Sequence, residues 1–159
     1  MLGAEPEVVW NRVATMPGVN HELGPWVRMT APTNARFDPS VVKPGERLFR
    51  SRLLLFGVLP VDYDDLTFLR IVPGREFLER SPMLSASVWE HHRLLVPRDG
   101  GCLVIDRVRF VPRLAFAGRA HRLIARAVFR HRHRRLKQWF NSGTMPSPRR
   151  RRASRGRRS

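Results

Sequence analysis

The pattern of apolar and polar positions divides the chain into two short helices, a series of strands and one long helix. Residues 6–16 place apolar side chains at near-helical spacing, and Pro17-Gly18 ends that segment before a second short helix over 19–23. Apolar runs then follow one another over residues 48–111, separated by turn sequences such as Pro73-Gly74. Because these connections are short, we predict about six strands that pair antiparallel as a meander.

The last predicted element is a helix from about residue 114 to residue 140. This segment contains no proline, and apolar side chains recur along one stripe through Ala120, Ile124, Ala127 and Val128. A curved sheet needs its apolar face covered, and no other predicted element is long enough to cover it. The predicted fold class is therefore α+β: a helix-grip fold with two short N-terminal helices and a curved antiparallel sheet wrapped on the long C-terminal helix.

Charge is distributed unevenly along the 159 residues. Residues 1–106 contain 12 Lys/Arg and 13 Asp/Glu, whereas residues 107–159 contain 18 Lys/Arg and no acidic residue. Seven of those 18 stand in the segment 142–159, whose Pro, Ser, Gly and Arg composition cannot bury enough apolar surface to offset the entropy of ordering. We predict one folded domain over 1–141 and a disordered Arg-rich tail over 142–159.

Several classes of protein are disfavoured by what the sequence lacks. No stretch approaches the ~18 apolar residues of a membrane span, and the first residues do not resemble a secretory signal, which favours the cytoplasm. Cys102 is the single cysteine, so this chain alone forms neither a disulfide nor a thiolate zinc site. His131 and His133 fall on different sides of the predicted helix, and we predict no metal and no cofactor.

The residues that carry a family resemblance are spread over positions 5–140. They include the motifs Gly18-Val19-Asn20-His21-Glu22-Leu23, Leu53-Leu54-Leu55-Phe56-Gly57, Trp89-Glu90-His91 and Phe129-Arg130-His131-Arg132-His133. On these motifs the sequence resembles an uncharacterised bacterial branch of the SRPBCC superfamily, the START-like and polyketide-cyclase-like helix-grip domains. The resemblance implies a cavity between sheet and long helix that holds an apolar or amphipathic molecule, and it implies no catalytic residues.

The start of the chain departs from the pattern of that superfamily. Its fold normally begins with a strand before the first helix, whereas this sequence starts almost at the helix. We therefore expect either a truncated start or a sheet that is one strand short. An exposed sheet edge would follow.

Asp106 is the residue that most suggests chemistry. Alternation along 102–110 places its carboxylate on a face with apolar neighbours. Such a carboxylate either pairs with a cation, for example Arg93, or has a raised pKa and can shuttle protons. His91 is the histidine of strand 85–95 that can face inward beside it, and the resemblance places His21 at the cavity mouth, where it can polarise a carbonyl.

One acidic run lies between two predicted strands. The sequence Asp62-Tyr63-Asp64-Asp65 has the charge density that is typical of a solvated turn, and this is the interpretation that we favour. Ion pairs with the arginines of the last helix are the alternative.

Three functions stay open at this point. We favour binding of a lipid-like or polyketide-like small molecule in a cavity lined by Leu53, Leu55, Val88, Trp89, His91, Arg93, Val104, Asp106, Val108, Phe110, Ile124 and Val128. The alternative is a cyclase or dehydratase that transfers protons with Asp106 and either His91 or His21. The second alternative is weak attachment to a polyanion or an anionic membrane through the tail arginines Arg149, Arg150, Arg151, Arg152, Arg155, Arg157 and Arg158.

Overall fold

A computed structural model describes residues 1–33, 35, 37, 38, 40 and 42–141. The predicted tail, 142–159, lies outside the described residues, and so do its seven arginines. Its disorder and its contact with polyanions therefore stay predictions.

Two short helices precede the sheet, and one long helix follows it. The elements are α1 (Pro6–Val13), α2 (Met16–Leu23), β1 (Val27–Met29), β2 (Arg47–Leu55), β3 (Leu59–Val72), β4 (Glu76–Ser81), β5 (Ala86–Arg98), β6 (Gly101–Pro112) and, after a short 3-10 turn at Ala115–Ala117, α3 (Gly118–Asn141). The prediction of an α+β fold with these elements is confirmed.

Only Ala14 and Thr15 separate the two short helices, and the sequence at this junction allows the close crossing. Thr15 caps α2, its hydroxyl oxygen accepting a hydrogen bond from the backbone N–H of Gly18 at 3.1 Å. A Cβ atom on Gly18 would lie 1.8 Å from the carbonyl oxygen of Arg12. Glycine is therefore needed where α2 crosses the end of α1, and this crossing sets the position of Glu22 further along α2.

The six strands form one antiparallel sheet in the order β1 to β6, with each strand beside its neighbour in sequence. The sheet curls into a half-barrel, and register shifts interrupt the pairing within β2–β3, β3–β4 and β5–β6. Such irregularities increase the local twist of a sheet, which helps it to curl around a helix. The register sets Glu79 of β4 opposite His91 of β5, and Arg93 of β5 opposite Asp106 of β6.

The outer edge of β6 pairs with the start of the chain at one bridge only. The backbone N–H of Leu2 donates to the carbonyl of Cys102 at 2.8 Å, and the N–H of Cys102 donates to the carbonyl of Leu2 at 2.9 Å. No further strand of the described residues pairs with β6 on this side. In the described residues β6 is an edge strand of the sheet, and a bridge of two hydrogen bonds with Leu2 occupies one end of it.

The apolar core lies where α1 and the last turns of α3 meet the sheet. Val9 and Val13 of α1 are completely buried there together with Leu136, and Phe140 and Phe68 complete the contact. The first half of α3 is much more open. None of the helices in the described residues combines the length and the apolarity that spanning a bilayer requires.

The predicted stripe along the last helix is wrong in part. Ala120 and Ala127 are exposed, and Ile124 is 62% exposed although it also borders the interior. The inward face of α3 instead runs through His121, Ala125, Val128, Phe129 and Arg132. Two of these five residues are polar, so hydrophobic spacing alone does not give the orientation of the helix.

Candidate functional site

A cavity of about 580 Å³ lies between the concave face of the sheet and α3. Apolar side chains from α1, α2, β1, β2, β3 and the first half of α3 form most of its walls. The polar residues that line it are Asp62, Asp64, Ser85, His91, Glu79, His121 and Arg132. Most of the wall is therefore suited to an apolar molecule, and a few polar groups are available to orient it.

Six of the twelve predicted lining residues border this cavity: Leu53, Leu55, Trp89, His91, Ile124 and Val128. The other six do not: Val88, Arg93, Val104, Asp106, Val108 and Phe110. Val88 is displaced because successive strand residues point to opposite faces, so it cannot share a face with Trp89. It pairs with Val111, which is 54% exposed on the outer side of the sheet.

The five other displaced residues lie in the layer beside the cavity. Phe110 stacks on Trp89 with ring centroids 6.3 Å apart, and Val104 is buried in the apolar core. Val108 is half-buried opposite His91. Arg93 and Asp106 do not border the cavity, and they bond to each other in a buried ionic cluster.

Arg93 is the centre of this ionic cluster and is 0% exposed. Its Nε and one terminal nitrogen donate to the two oxygens of Asp106 at 2.7 and 2.9 Å. Both terminal nitrogens donate to the two oxygens of Glu22 at 2.9 Å, and Arg132 Nε donates to Glu22 Oε2 at 2.9 Å. Two arginines and two carboxylates thus balance one another and join α2, β5, β6 and α3.

The pKa values of the two carboxyl groups follow from these contacts. Burial by itself raises the pKa of Asp106, but the charge of Arg93 and hydrogen bonds from His133 and His91 outweigh it, so the pKa lies well below its usual range. The pKa of Glu22 is also lowered, because Arg93 and Arg132 outweigh its burial. The ion pair expected between Asp106 and Arg93 is present, and Asp106 is a fixed negative charge rather than a proton shuttle.

His91 is held between the ionic cluster and the cavity. Its Nε2 lies 2.9 Å from Asp106 Oδ1, and because that carboxylate is ionised, the imidazole donates the hydrogen bond. Its Nδ1 lies 3.8 Å from Glu79 Oε2, at the cavity wall. The rings of Phe77 and Phe129 pack against the imidazole edge-to-face at 5.1 and 4.9 Å. Asp106 therefore fixes the orientation of His91.

His21 is not brought together with these residues. Its ring packs against Trp139 with centroids 4.9 Å apart, and Arg135 donates to its Nδ1 at 3.4 Å. Burial and the charge of Arg135 lower its pKa. His21 does not border the cavity, and the hydrogen bonds of Asp106 in the described residues go to His91, Arg93 and His133 instead.

The acidic run at 62–65 lies within β3 rather than in a solvated turn, which corrects the interpretation from sequence. Asp65 points outward, where Arg50 donates to both of its oxygens at 2.7 Å. Asp64 points inward, is 4% exposed and borders the cavity. Asp62, on the same face, accepts hydrogen bonds from the backbone N–H groups of Leu84 and Ser85. The run is split between the two faces of the sheet.

Asp64 and Glu79 form a pair of carboxyl groups at the cavity wall that the sequence did not reveal. A side-chain hydrogen bond joins them, and Glu79 Oε1 also accepts from the hydroxyl of Ser81 at 3.1 Å. Burial, together with the adjacent charge of Glu79, raises the pKa of Asp64 well above its usual range. The sequence of β3 does indicate that Asp64 faces inward. Side chains alternate between the two faces of a strand, and Asp64 lies on the same face as the buried Leu66 and Phe68.

Comparison with known proteins places the chain in one family. Residues 1–140 match a family described as a domain of unknown function, DUF8410. The chain belongs to this family. The matched DUF8410 region includes every residue of the ionic cluster and of the cavity wall. Comparison with curated proteins gives no match.

Solved structures similar to this DUF8410 domain share its fold at low sequence identity. Protein CV1439 from Chromobacterium violaceum is 15% identical with a TM-score of 0.65, over 88% of this chain and 92% of that one. Protein TTHA0849 from Thermus thermophilus is 13% identical with a TM-score of 0.56, over 91% and 94%. DynU16, a protein of the dynemicin biosynthetic locus, is 15% identical with a TM-score of 0.55, over 89% of this chain and 45% of its own.

Proposed function

We propose that this chain binds an apolar or amphipathic small molecule in the cavity between the sheet and α3. The observation that carries the proposal is the cavity itself, about 580 Å³ in volume with walls that are mostly apolar. Small-molecule sites have volumes of roughly 300–1,000 Å³ and combine apolar walls with a few placed polar groups. Protein interiors are otherwise close-packed, so an apolar space of this size is unusual in a domain that binds nothing.

The resemblance to the SRPBCC superfamily supports the same proposal. Its START-like and polyketide-cyclase-like members are similar in having a ligand cavity between the sheet and the long helix. The sequence predicts that such a cavity is lined by Leu53 and Leu55 of β2, Trp89 of β5 and Val128 of α3, among others. These four residues border the cavity described above. A lipid-like or polyketide-like ligand fits walls of this composition.

A matched pair of tryptophan substitutions on α3 tests the proposal. Ala125 borders the cavity, whereas Ala127, two residues further along the helix, is exposed. Ala125→Trp places an indole in the ligand space, so we expect affinity for a fluorescent apolar probe to fall by at least about tenfold, or about 1.4 kcal/mol. Native mass spectrometry should likewise detect less co-purified ligand in this variant.

Ala127→Trp is the control for these measurements. It introduces the same side chain on the same helix without entering the cavity, so its probe affinity should equal that of the wild type. Unchanged binding in Ala125→Trp, or an equal loss in both variants, would show that the probe binds elsewhere.

Acid–base catalysis in the same cavity is a second candidate, and the geometry of His91 favours it. Of the pairs considered from sequence, only His91 with Asp106 has the required contact, at 2.9 Å. Asp106 would position the imidazole, and His91 Nδ1 would move the proton of a cyclase- or dehydratase-type reaction. Faster hydrogen exchange next to the carbonyl of methyl octyl ketone in D₂O with the protein present would distinguish catalysis from binding alone.

A further inference from the structure

Most of the exposed large apolar side chains in the described residues lie at one end of the sheet. Because neighbouring strands are antiparallel, the ends of β2, β4 and β6 share this end with the starts of β1, β3 and β5. Exposed apolar side chains occur in each connection at this end and on the first turns of α3, which follows β6. We call this set the apolar end: Trp26, Phe56, Val58, Leu59, Val61, Leu84, Val111, Leu114, Phe116, Leu123 and Ile124.

The cavity opens within the apolar end. Val61 of β3 and Ile124 of α3 belong both to the cavity wall and to the apolar end, and they are 48% and 62% exposed. Other wall residues, such as Leu66 and Phe68 further along β3, are buried. Wall residues of high exposure mark the place where a cavity meets solvent. The mouth of the cavity thus lies between the start of β3 and the first turns of α3.

The tip of the β2–β3 hairpin is the most exposed part of the apolar end on the sheet. Residues 56–61 contain no charged side chain, and Val58 is 79% exposed. Trp26 packs on Phe56 beside it, with ring centroids 5.9 Å apart. Large exposed apolar patches are uncommon on soluble domains, and they typically mark sites of contact with a protein or a membrane.

The charges around the apolar end determine what it can contact. Arg113, Arg119 and Arg122 are exposed where β6 leads into α3, and residues 107–141 contain 11 Lys/Arg and no acidic residue. A second copy of the chain on this surface would bring the same arginines face to face, and they would repel each other. A bilayer with anionic lipids fits both features, because apolar side chains insert below the headgroups while arginines contact the headgroup charge.

We propose that the apolar end docks onto the surface of an anionic lipid bilayer, with the mouth of the cavity against the membrane. This proposal goes beyond ligand binding, because it assigns a partner to the surface around the mouth. It also differs from attachment through the tail, because it uses side chains of the folded domain. An apolar ligand would then pass between bilayer and cavity without crossing water.

Binding of the full-length protein to lipid vesicles tests this proposal. We expect the protein to cosediment with vesicles of equal parts phosphatidylcholine and phosphatidylglycerol, and to bind vesicles of phosphatidylcholine alone at least about tenfold more weakly. Val58→Glu and Phe116→Glu should each lower affinity for the anionic vesicles by at least about tenfold, because each replaces an inserting side chain by a charge. Both side chains are highly exposed, so circular dichroism should show an unchanged fold.

Val8→Glu is the matched control for these two variants. Val8 is exposed on α1, outside the apolar end, and its substitution changes the net charge by the same amount. Its affinity for the anionic vesicles should equal that of the wild type.

Tryptophan quenching separates insertion from attachment by charge alone. Brominated acyl chains quench a tryptophan that enters the bilayer, so anionic vesicles that contain brominated phosphatidylcholine should quench the wild type. Trp26→Phe should be quenched much less. The tail cannot produce this result, because residues 142–159 contain no tryptophan.

A pair of double substitutions tests the arginines. Arg119→Gln combined with Arg122→Gln should reduce the preference for anionic over neutral vesicles by about tenfold. Arg75→Gln combined with Arg98→Gln removes the same charge at the opposite end of the sheet, where β4 begins and β5 ends. This control should leave the preference unchanged.

Several outcomes would overturn the proposal. These are a wild type that does not bind anionic vesicles, equal binding by the wild type, Val58→Glu and Phe116→Glu, or an equal loss in Val8→Glu. A wild-type dimer in sedimentation velocity that both glutamate variants dissociate, without vesicle binding, would assign the apolar end to a second copy instead. Binding of an apolar probe is measured without vesicles, so failure of membrane docking and failure of the proposed ligand binding are distinguishable.

Discussion

At the scale of single residues, two buried aspartates of this domain have opposite electrostatic environments. Asp106 faces Arg93 and two imidazoles, and its pKa is lowered. Asp64 faces Glu79 with no arginine bonded to it in the described residues, and its pKa is raised. The same side chain is therefore stabilised in its charged form in one place and in its protonated form in the other, as determined by its neighbours.

Substitution of Asp106 should destabilise the fold in a pH-dependent way. Asp106→Asn leaves Arg93 with one carboxylate fewer, and breaking a buried ion pair typically costs about 3–5 kcal/mol. Because the pKa of Asp106 is lower in the folded state, its contribution is complete above the unfolded pKa of about 3.9 and is lost as the pH falls through the folded pKa. Urea unfolding should show a large difference from the wild type at neutral pH that shrinks on acidification.

Substitution of Asp64 should show the opposite pH dependence. Its pKa is higher in the folded state, so the contribution of Asp64 to wild-type stability is complete below about pH 3.9 and is lost as the pH rises through the folded pKa. Asp64→Asn has no proton to lose, so its stability relative to the wild type should increase over that range. A parallel response of the two variants to pH in urea unfolding would contradict the assigned environments.

The sequence indicated Asp106 but not Asp64, and the reason is physical. Alternation with Val104 and Val108 marks Asp106 as inward-facing, and an arginine partner was available on the next strand. The run at 62–65 contains three acidic residues, and this charge density is typical of a solvated turn. The interpretation from sequence therefore gave less weight to the alternation of Asp64 with Leu66 and Phe68. Whether a carboxyl group meets an arginine or another carboxyl group depends on strand register, which sequence spacing does not give.

At the scale of elements, the strands and helices were predictable but the orientation of α3 was not. The turn sequences and the two-residue alternation of apolar side chains predict the strands. The absence of proline from residues 114–140 predicts the long helix. The orientation of α3 depends on Arg132, which turns inward because Glu22 on α2 offers it a buried partner. A helix with arginine on several faces does not show from its sequence which arginine is paired.

The bridge between Leu2 and Cys102 can be tested with two neighbouring glycines. A Cβ on Gly101 would lie 2.0 Å from the carbonyl oxygen of Leu2, whereas a Cβ on Gly100 meets nothing within 4 Å. Both residues have positive φ, so each alanine carries a strain of about 1–2 kcal/mol. Gly101→Ala should cost about 2 kcal/mol more than Gly100→Ala in chemical denaturation, since it also displaces the buried Leu2.

Equal losses of stability in the two glycine variants would mean that the bridge contributes nothing to the fold. Hydrogen exchange gives a second measurement, because the amide of Cys102 is protected by Leu2. In Gly101→Ala this amide should exchange faster, while it should be unchanged in Gly100→Ala.

At the scale of the whole molecule, several basic side chains of α3 lie together on a surface and do not border the cavity. Arg126, Arg130, Arg134 and Lys137 form a basic surface along α3 together with His133. The tail arginines would extend this charge, and the binding of polyanions through them stays a prediction. Charge of this kind gives affinity that depends strongly on salt and weakly on sequence.

Deletion of residues 144–159 tests the contribution of the tail. Removal of its seven arginines should weaken binding to heparin and to duplex DNA at low salt and should reduce the slope of log affinity against log salt. Binding of the apolar probe should not change, because the cavity lies within residues 13–132. If heparin affinity and its salt slope stay the same after deletion, the tail makes no contribution and the basic residues of the remaining chain are responsible.

The separation between the ionic cluster and the acid pair has a consequence for how such a domain can diversify. Arg93, Glu22 and Asp106 hold the helices to the sheet, while Asp64 and Glu79 on β3 and β4 border the cavity. Among the described residues, His91 contacts members of both groups. Changes on β3 and β4 can therefore alter the polarity of the cavity wall while the electrostatic anchoring of the fold is retained.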